Sequence, residues 1–330
     1  MSFQRRRFFQ AALAGSLLSG ALPTFGRAQG AAWPGGPVRF VVPFAPGGGA
    51  DMATRLMAEK LRSAWGGVPA LVDNRPGANT IIAADAVLGA PRDGSTFLAT
   101  ISLTTQLPFL MQKVNFNPET DLVPVAAITT EQLVLVTNAA LGIKRFKDLV
   151  EAARRQPGKF AFGSYGVGSN SHLVLIEINK ASDAELVHVP YKGAAPAVQA
   201  VLSGEVALAL SNLGTVKQHI ASGRLVPLAV TGERRSRFVP EVPTLLELGI
   251  KGFETPAWIG VFAARGTPAA IVNKLGADVQ AAVAAPDLVA RLQDFGQEPG
   301  QMSTAEFQAL VKRDSDNAGQ MIRAAGVRLE

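Results

Sequence analysis

Residues 38–51 read VRFVVPFAPGGGAD, and this stretch indicates the fold class of the chain. Its first residues are mostly β-branched or aromatic, a composition that favours a β-strand. Three consecutive glycines follow, and from Ala50 to Trp65 the apolar residues Met52, Leu56 and Leu61 recur at helical spacing. The stretch therefore predicts a strand, a glycine loop and a helix, which is the repeating unit of an α/β sheet.

The same alternation continues along the chain. Further strands are predicted at residues 70–73, 96–100, 132–137, 160–164, 186–190, 206–210, 226–231 and 259–263. Because helical patterns separate most of these strands, the chain is predicted to be an α/β protein with a largely parallel sheet.

Two lobes are predicted from the content of successive segments. Residues 132–232 hold enough alternating strands and helices for one complete α/β lobe. The later elements are too few for a domain, so residues 233–330 are predicted to join residues 29–131 in a discontinuous first lobe. This arrangement crosses between the lobes twice, which is a natural construction for a hinge.

The N-terminus has the three-part layout of a secretory signal peptide. Arg5, Arg6 and Arg7 precede an uncharged stretch, residues 8–25, that ends in small residues before Ala28. Glycines and serines interrupt this stretch, so it falls short of the roughly 20 apolar residues that cross a bilayer. We predict export to the periplasm with cleavage near Ala28. The run RRRFF also fits the twin-arginine pattern, and both export routes stay open.

Charge and composition exclude several classes of function. The net charge of +6 includes four arginines in residues 1–28, which contain no acidic residue, so the remaining chain is close to neutral. It lacks the dense basic surface that nucleic acid binding requires. The chain has no cysteine and three histidines without an H-x-x-x-H pair, so neither thiol catalysis nor a metal site is expected.

No motif of an enzyme class is complete. Residues 166–171 are one residue short of G-x-G-x-x-G, and neither a G-x-S-x-G elbow nor a G-x-x-x-x-G-K-[ST] loop occurs. A Ser-His-Asp triad would need Ser169, His172 and a distant acid, and their spacing does not support one. We therefore assign no catalytic residue and no cofactor. The alternative is an exported hydrolase or transferase that acts on a carboxylate in a cleft between the two lobes.

Two glycine-rich loops, residues 47–51 and 163–170, each join a predicted strand to a predicted helix. Glycine lets the backbone approach a ligand closely, and a helix N-terminus presents unpaired N–H groups with partial positive charge. A carboxylate or phosphate is the expected guest. If each loop lies at the carboxyl end of its sheet, the two face each other across a cleft. The alternative is that the glycines only form tight turns and that Ser169 or Ser171 caps its helix.

Several motifs, taken in order, resemble the substrate-binding proteins of tripartite tricarboxylate transporters, also called Bug receptors. The resemblance covers essentially the whole chain after residue 32 and rests on residues 43–51 with Arg55, 74–78, 93–94, 168–169, 172–173, 189–193, 222–223, 228–232 and 242–244. It implies a type II periplasmic binding fold that closes on its ligand. The receptor is expected to be a monomer.

The resemblance also implies how the ligand is held. One ligand carboxylate is expected to bind the backbone amides of residues 44–51 and the serine-bearing loop 164–170, commonly through ordered water. The implied partner is a membrane transporter with a large and a small subunit. A receptor that presents its ligand to a sensor kinase is a further alternative.

Two departures from the family pattern concern the ligand. Relatives usually carry more glycine after Ala78, where this chain has Asn79 to Ile82, and this difference is expected to reshape the rim of the cleft. Many relatives carry an acidic residue near Ala207 or Ser211, whereas both residues and Asn212 are neutral here. We therefore predict a mono- or dicarboxylate rather than an amino acid.

The loops and the resemblance together nominate the ligand-binding residues. They are Phe44, Ala45, Gly47, Gly48, Gly49, Ala50, Asp51, Ser164, Tyr165, Gly168, Ser169, Asn170, His172, Tyr191 and Ser211. Tyr165 and Trp258 are candidates for cleft walls, with burial in the core as the alternative for each. A surface ion pair with Arg55 is the alternative role of Asp51.

Overall fold

Strands and helices alternate through most of residues 33–328, the part of the chain that the computed structural model describes. The strands are β1 (Val38–Val42), β2 (Ala70–Asn74), β3 (Thr96–Ile101), β4 (Leu122–Glu131), β5 (Leu133–Asn138), β6 (Ala161–Ser164), β7 (Val187–Pro190), β8 (Leu208–Asn212), β9 (Leu225–Val230), β10 (Ala257–Ala264) and β11 (Gln297–Pro299). The helices are α1 (Gly49–Ala64), α2 (Ile81–Leu88), α3 (Leu103–Leu110), α4 (Pro118–Asp121), α5 (Phe146–Arg155), α6 (Asn170–Ser182), α7 (Ala194–Ser203), α8 (Leu213–Ala221), α9 (Ala269–Val283), α10 (Pro286–Asp294) and α11 (Thr304–Ala325). The predicted leader lies outside the described residues.

The first sheet has six strands in the order β11-β4-β10-β3-β1-β2. One face is covered by α1 and α9, with Phe40, Met57 and Leu275 in a single buried cluster. The other face is covered by α2, α3 and α11, where Trp258 and Phe307 are buried. Because both faces are covered, the strands read as nearly continuous apolar runs.

The second sheet has five strands in the order β7-β6-β8-β5-β9. Phe162 packs with residues of α5 and α6 on one face, and Val134 packs with residues of α7 and α8 on the other. The chain therefore has two α/β lobes, and the predicted fold class is confirmed. The residue limits of the two lobes stay a prediction.

The prediction of a largely parallel sheet is wrong. Four neighbouring strand pairs are parallel and five are antiparallel. Every antiparallel pair contains β4, β5 or β10, which are the strands at or after a crossing between the sheets. Such a strand does not continue a strand-helix-strand unit, so nothing forces it to run parallel to its neighbours.

Strand β4 was missed by the sequence pattern. Its ten residues are mostly apolar, contain Pro124 and are buried on both sides of the sheet, so they show no period of two. Only Gln132 separates β4 from β5, and its side-chain amide Nε2 donates to the carbonyl oxygens of Thr231 (2.7 Å) and Arg234 (2.6 Å). Gln132 therefore connects, through hydrogen bonds, the segment that leaves the first sheet after β4 with the segment that follows β9.

Candidate ligand-binding cleft

The first glycine loop is held by Asp51, a buried residue near the start of α1. Its carboxylate accepts hydrogen bonds from the Gly47 N–H (2.8 Å), from Asn74 Nδ2 (2.8 Å) and from Arg55 Nε (3.0 Å). Burial alone would raise the pKa of Asp51, but these hydrogen bonds outweigh it and keep that pKa below its ordinary value. The ion pair with Arg55 exists, yet Asp51 is buried rather than on the surface, and its oxygens are used within the loop.

The N-terminus of α1 is open. Its N-cap residue is Gly48, so no side chain accepts a hydrogen bond from the first helical N–H groups. Ala45, Gly47 and Gly48 are exposed, whereas Phe44 packs partly against the lobe core and Ala50 is buried. The loop therefore presents main-chain donors at an accessible helix end, where an anion is favoured.

The second loop is capped. Ser169 is the N-cap of α6, where its Oγ accepts from the backbone N–H of His172 (3.4 Å) and donates to the Gly166 carbonyl (2.6 Å). Ser164 Oγ lies 2.6 Å from His188 Nε2, and the Gly168 N–H donates to His172 Nδ1 (3.1 Å). Most polar groups of this loop are thus engaged within their own lobe.

Two histidine rings support the second loop. The rings of His172 and His188 stack with centroids 3.8 Å apart and planes 8° from parallel. Burial lowers the pKa of both, and the neighbouring His188 helps to lower that of His172 to about 4. Because His172 Nδ1 accepts from a backbone N–H and Ser169 Oγ donates to the Gly166 carbonyl, Ser169 and His172 do not form a nucleophile-base pair.

The open end of α1 faces the second lobe. A Cβ atom placed on Gly49 would lie 3.1 Å from Asn212 Nδ2 and 3.3 Å from Gln297 Nε2. Asn212 caps α8, and its Oδ1 accepts from Thr215 N (3.0 Å) and Thr215 Oγ1 (2.6 Å). These bonds orient the amide so that its donor nitrogen points at Gly49.

Helix α3 of the first lobe contacts the second loop. Gln106 Nε2 donates to Asn170 Oδ1 at 2.9 Å, and the Leu110 side chain lies directly against Gly168. Gln106 Oε1 and Ser171 Oγ are buried there without a hydrogen-bond partner in the described chain. Both glycine loops therefore border the space between the lobes.

An acidic residue that the sequence did not nominate lies near both loops. Glu131 Oε2 accepts from Gln297 Nε2 at 3.2 Å, the same amide that lies beneath Gly49. Burial raises the pKa of Glu131 to about 7, partly offset by this hydrogen bond. Burial and the negative charge of Glu131 raise the pKa of Tyr165, whose hydroxyl contacts the Ser171 N–H. Glu131 is the last residue of β4, immediately before the first crossing between the lobes. Because the sequence pattern did not predict β4, it gave no reason to place Glu131 near the cleft.

Two nominated residues are engaged within the second lobe. Tyr191 packs its ring on Gly163, and its hydroxyl donates to Glu205 Oε1 at 2.7 Å. Ser211 is buried on β8, and its Oγ has no hydrogen-bond partner within residues 33–328. By strand alternation Ser211 shares the face of Ala209, which packs into the lobe core rather than towards α1.

Trp258, which the sequence offered as a cleft wall, has a structural role. Trp258 is buried in the first lobe and donates from Nε1 to Asp314 Oδ2 at 3.0 Å, so it belongs to the core. Within residues 33–328, no group of three or more His, Cys, Asp or Glu side chains is placed to hold a metal ion.

Two α/β lobes, a double crossing and helix ends that face an interlobe space define a solute-binding protein. The family model for the tripartite tricarboxylate transporter family receptor matches residues 53–327, and the chain belongs to this family. It is thus a periplasmic solute-binding receptor of that transport system, and the resemblance found in the sequence is confirmed.

Solved structures agree with this assignment. R. palustris Rpa4515 with adipate is 33% identical with a TM-score of 0.83, covering 90% of this chain and 100% of that one. The periplasmic binding protein BugD is 31% identical with a TM-score of 0.81, covering 90% and 100%. MatC from Rhodopseudomonas palustris with bound malate is 29% identical with a TM-score of 0.79, covering 88% and 99%.

Proposed function

We propose that this receptor captures a small mono- or dicarboxylate between its lobes, with the carboxylate on the open N-terminus of α1. The observation that carries the proposal is the Asn212 amide of the second lobe, whose donor nitrogen points at Gly49 of the first. Donors from both lobes then meet at one anion, which favours the closed state. The adipate and malate bound by the relatives support this ligand class.

The site is tested by isothermal titration with a panel of carboxylates that includes adipate and malate. Gly48→Pro removes a main-chain N–H at a residue whose φ of −77° suits proline. Ser169→Ala removes the cap of α6 and loosens the second loop. We expect both variants to bind at least about tenfold more weakly, which corresponds to about 1.4 kcal/mol.

The matched control is Ser303→Ala, which removes the side-chain cap of α11. It is expected to cost a similar amount of stability, about 1 kcal/mol, with unchanged affinity. Wild-type affinity in both loop variants would remove these loops from the binding site.

The receptor is proposed to release its ligand unchanged. The His172 ring accepts a backbone hydrogen bond and does not contact the Ser169 hydroxyl, so these two residues give the hydrolase alternative no activated nucleophile. The serine–histidine contact of this loop is between Ser164 Oγ and His188 Nε2, at 2.6 Å. Incubating adipate with the protein and following it by NMR tests this point. Any enzyme-dependent product would favour the alternative.

The proposed export route and partners extend beyond the described residues. We propose cleavage near Ala28, a monomeric receptor in the periplasm, and delivery to the large and small membrane subunits of the transporter. Within residues 33–328, no helix combines the length and apolar character needed to span a membrane. N-terminal sequencing of the exported protein tests the cleavage site, and an Arg5→Lys, Arg6→Lys variant separates the twin-arginine route from Sec.

A further inference from the structure

Glu131, the last residue of β4, lies beside β11 of the first sheet and near Tyr165 of the second loop. Its Oε2 accepts from Gln297 Nε2, whereas Oε1 makes no hydrogen bond within residues 33–328. The residue is partly exposed at the end of β4, and the Gln297 amide that it binds lies 3.3 Å from the position of a Cβ on Gly49. The free oxygen is therefore close to the proposed carboxylate site.

Among residues 33–328, no Lys, Arg or His side chain forms an ion pair with Glu131. Its neighbour on β10 is Ala257, and its neighbour on β11 is Gln297. Tyr165 approaches Glu131 from the second loop. Asp314 on α11 is also close enough for its charge to raise the pKa of Tyr165, and its carboxylate accepts a hydrogen bond from Trp258 Nε1.

An ion pair on β11 lies close to Glu131 in the sequence of the sheet but on the other face. Glu298 follows Gln297 and forms an ion pair with Arg237. Because successive strand residues point to opposite faces, that pair lies away from the Gln297 amide. The groups identified around Glu131 are thus acidic or neutral, and within residues 33–328 no positively charged side chain forms an ion pair with it.

We propose that Glu131 is a specificity-determining residue that binds the solute carboxylate in its neutral acid form, so that capture is coupled to the uptake of one proton. This inference rests on the proposed function. Two carboxylates that share a site avoid repulsion by sharing a proton. The neutral acid then donates an O–H···O⁻ hydrogen bond, which is among the stronger hydrogen bonds in proteins.

The proton linkage has a definite sign. Burial raises the pKa of Glu131 to about 7 in the free receptor, so both forms are populated near neutral pH. A bound anion raises this pKa further, because it disfavours a second negative charge. Affinity is therefore highest below about pH 7 and falls above it, by up to about tenfold per pH unit until the pKa of the complex is reached.

The test is titration of adipate into the wild-type protein and Glu131→Gln at about pH 6 and about pH 8, in buffers of different ionisation enthalpy. We expect wild-type affinity to fall about tenfold over this range, with uptake approaching one proton per adipate at the higher pH. Glutamine is neutral and still accepts from Gln297, so this variant should bind with little pH dependence and no proton uptake. Malate provides the same test if adipate gives no heat.

The matched control is Glu298→Gln, which removes the neighbouring carboxylate on β11 and should keep the wild-type dependence on pH. Equal wild-type affinity at both values of pH, or a wild-type slope in Glu131→Gln, overturns the inference and leaves the receptor function standing. Tighter binding of an amine-bearing ligand with proton release would instead assign Glu131 to an ion pair. If no carboxylate binds at either pH, the proposed function fails and this inference fails with it.

A ligand-free measurement keeps the inference testable. Below its ordinary pKa of 4.5 Glu131 is neutral whether the chain is folded or unfolded, and as pH rises through about 7 the folded state bears the cost of a buried charge. Thermal unfolding should therefore show that Glu131→Gln gains stability relative to wild type between about pH 5 and about pH 8. A constant difference would mean that the Glu131 carboxyl is solvated, which overturns the inference.

Discussion

The two glycine loops share a strand-loop-helix design but use their polar groups differently. The first is fixed by Asp51, which lies inside the loop and leaves the end of α1 without a side-chain cap. In the second, Ser169 caps α6 and His172 accepts a loop N–H. The main-chain donors at the end of α1 are therefore available to the proposed ligand, whereas the polar groups of the second loop mostly bond within their own lobe.

The largest expected effect is on the stability of the second loop. Gly168 has a φ of +76°, and an added Cβ would lie 2.1 Å from a Leu110 methyl group, so Gly168→Ala combines backbone strain with overpacking. We expect it to lower the free energy of unfolding by about 3 kcal/mol, measured by urea denaturation. Gly158→Ala is the control, since Gly158 has a φ of +73° but no atom near its Cβ position, and it should cost only about 1 kcal/mol. Equal losses would mean that α3 does not pack tightly on this loop.

The next effect is on affinity at the first loop. Asn212→Asp keeps the cap of α8 but replaces the donor facing Gly49 with a negative charge. Adipate affinity should fall about thirtyfold, equivalent to about 2 kcal/mol, with an unchanged melting temperature. Asn117→Asp makes the same change at the cap of α4 and should leave affinity unchanged. Unchanged binding by Asn212→Asp would place the carboxylate away from α1.

The smallest effect is a pH dependence of the second loop. The pKa of His172 is lowered to about 4 in the folded protein from an ordinary value of 6.5, so the unfolded chain binds its proton first as pH falls. Stability is therefore lost between about pH 6.5 and about pH 4, by an amount on the order of 1 kcal/mol for this partly exposed group. His172→Phe keeps a stacking ring without the titration and should lose less stability over this range, as measured by denaturation at each pH. A steeper loss in the variant would contradict a neutral histidine stack.

Much of the fold follows from local patterns in the sequence. The glycine loop after Val42 and the helical spacing from Ala50 onward predict β1 and α1 close to their observed bounds. Strand β4 was missed because burial on both faces removes the period of two. Its antiparallel pairing with β10 was also missed, since the direction of a strand after a crossing depends on the other lobe.

Short-range spacing and motif order in the sequence predicted the class of protein, the two loops and the family. The packing of distant segments was needed to show which helix end lacks a side-chain cap and which acid lies near both loops. The Asp51 carboxylate accepts a hydrogen bond from its own loop, and Glu131 accepts one from Gln297, which lies 166 residues further along the chain. Such contacts depend on how distant segments pack and on the burial that shifts a pKa, and no local pattern encodes either.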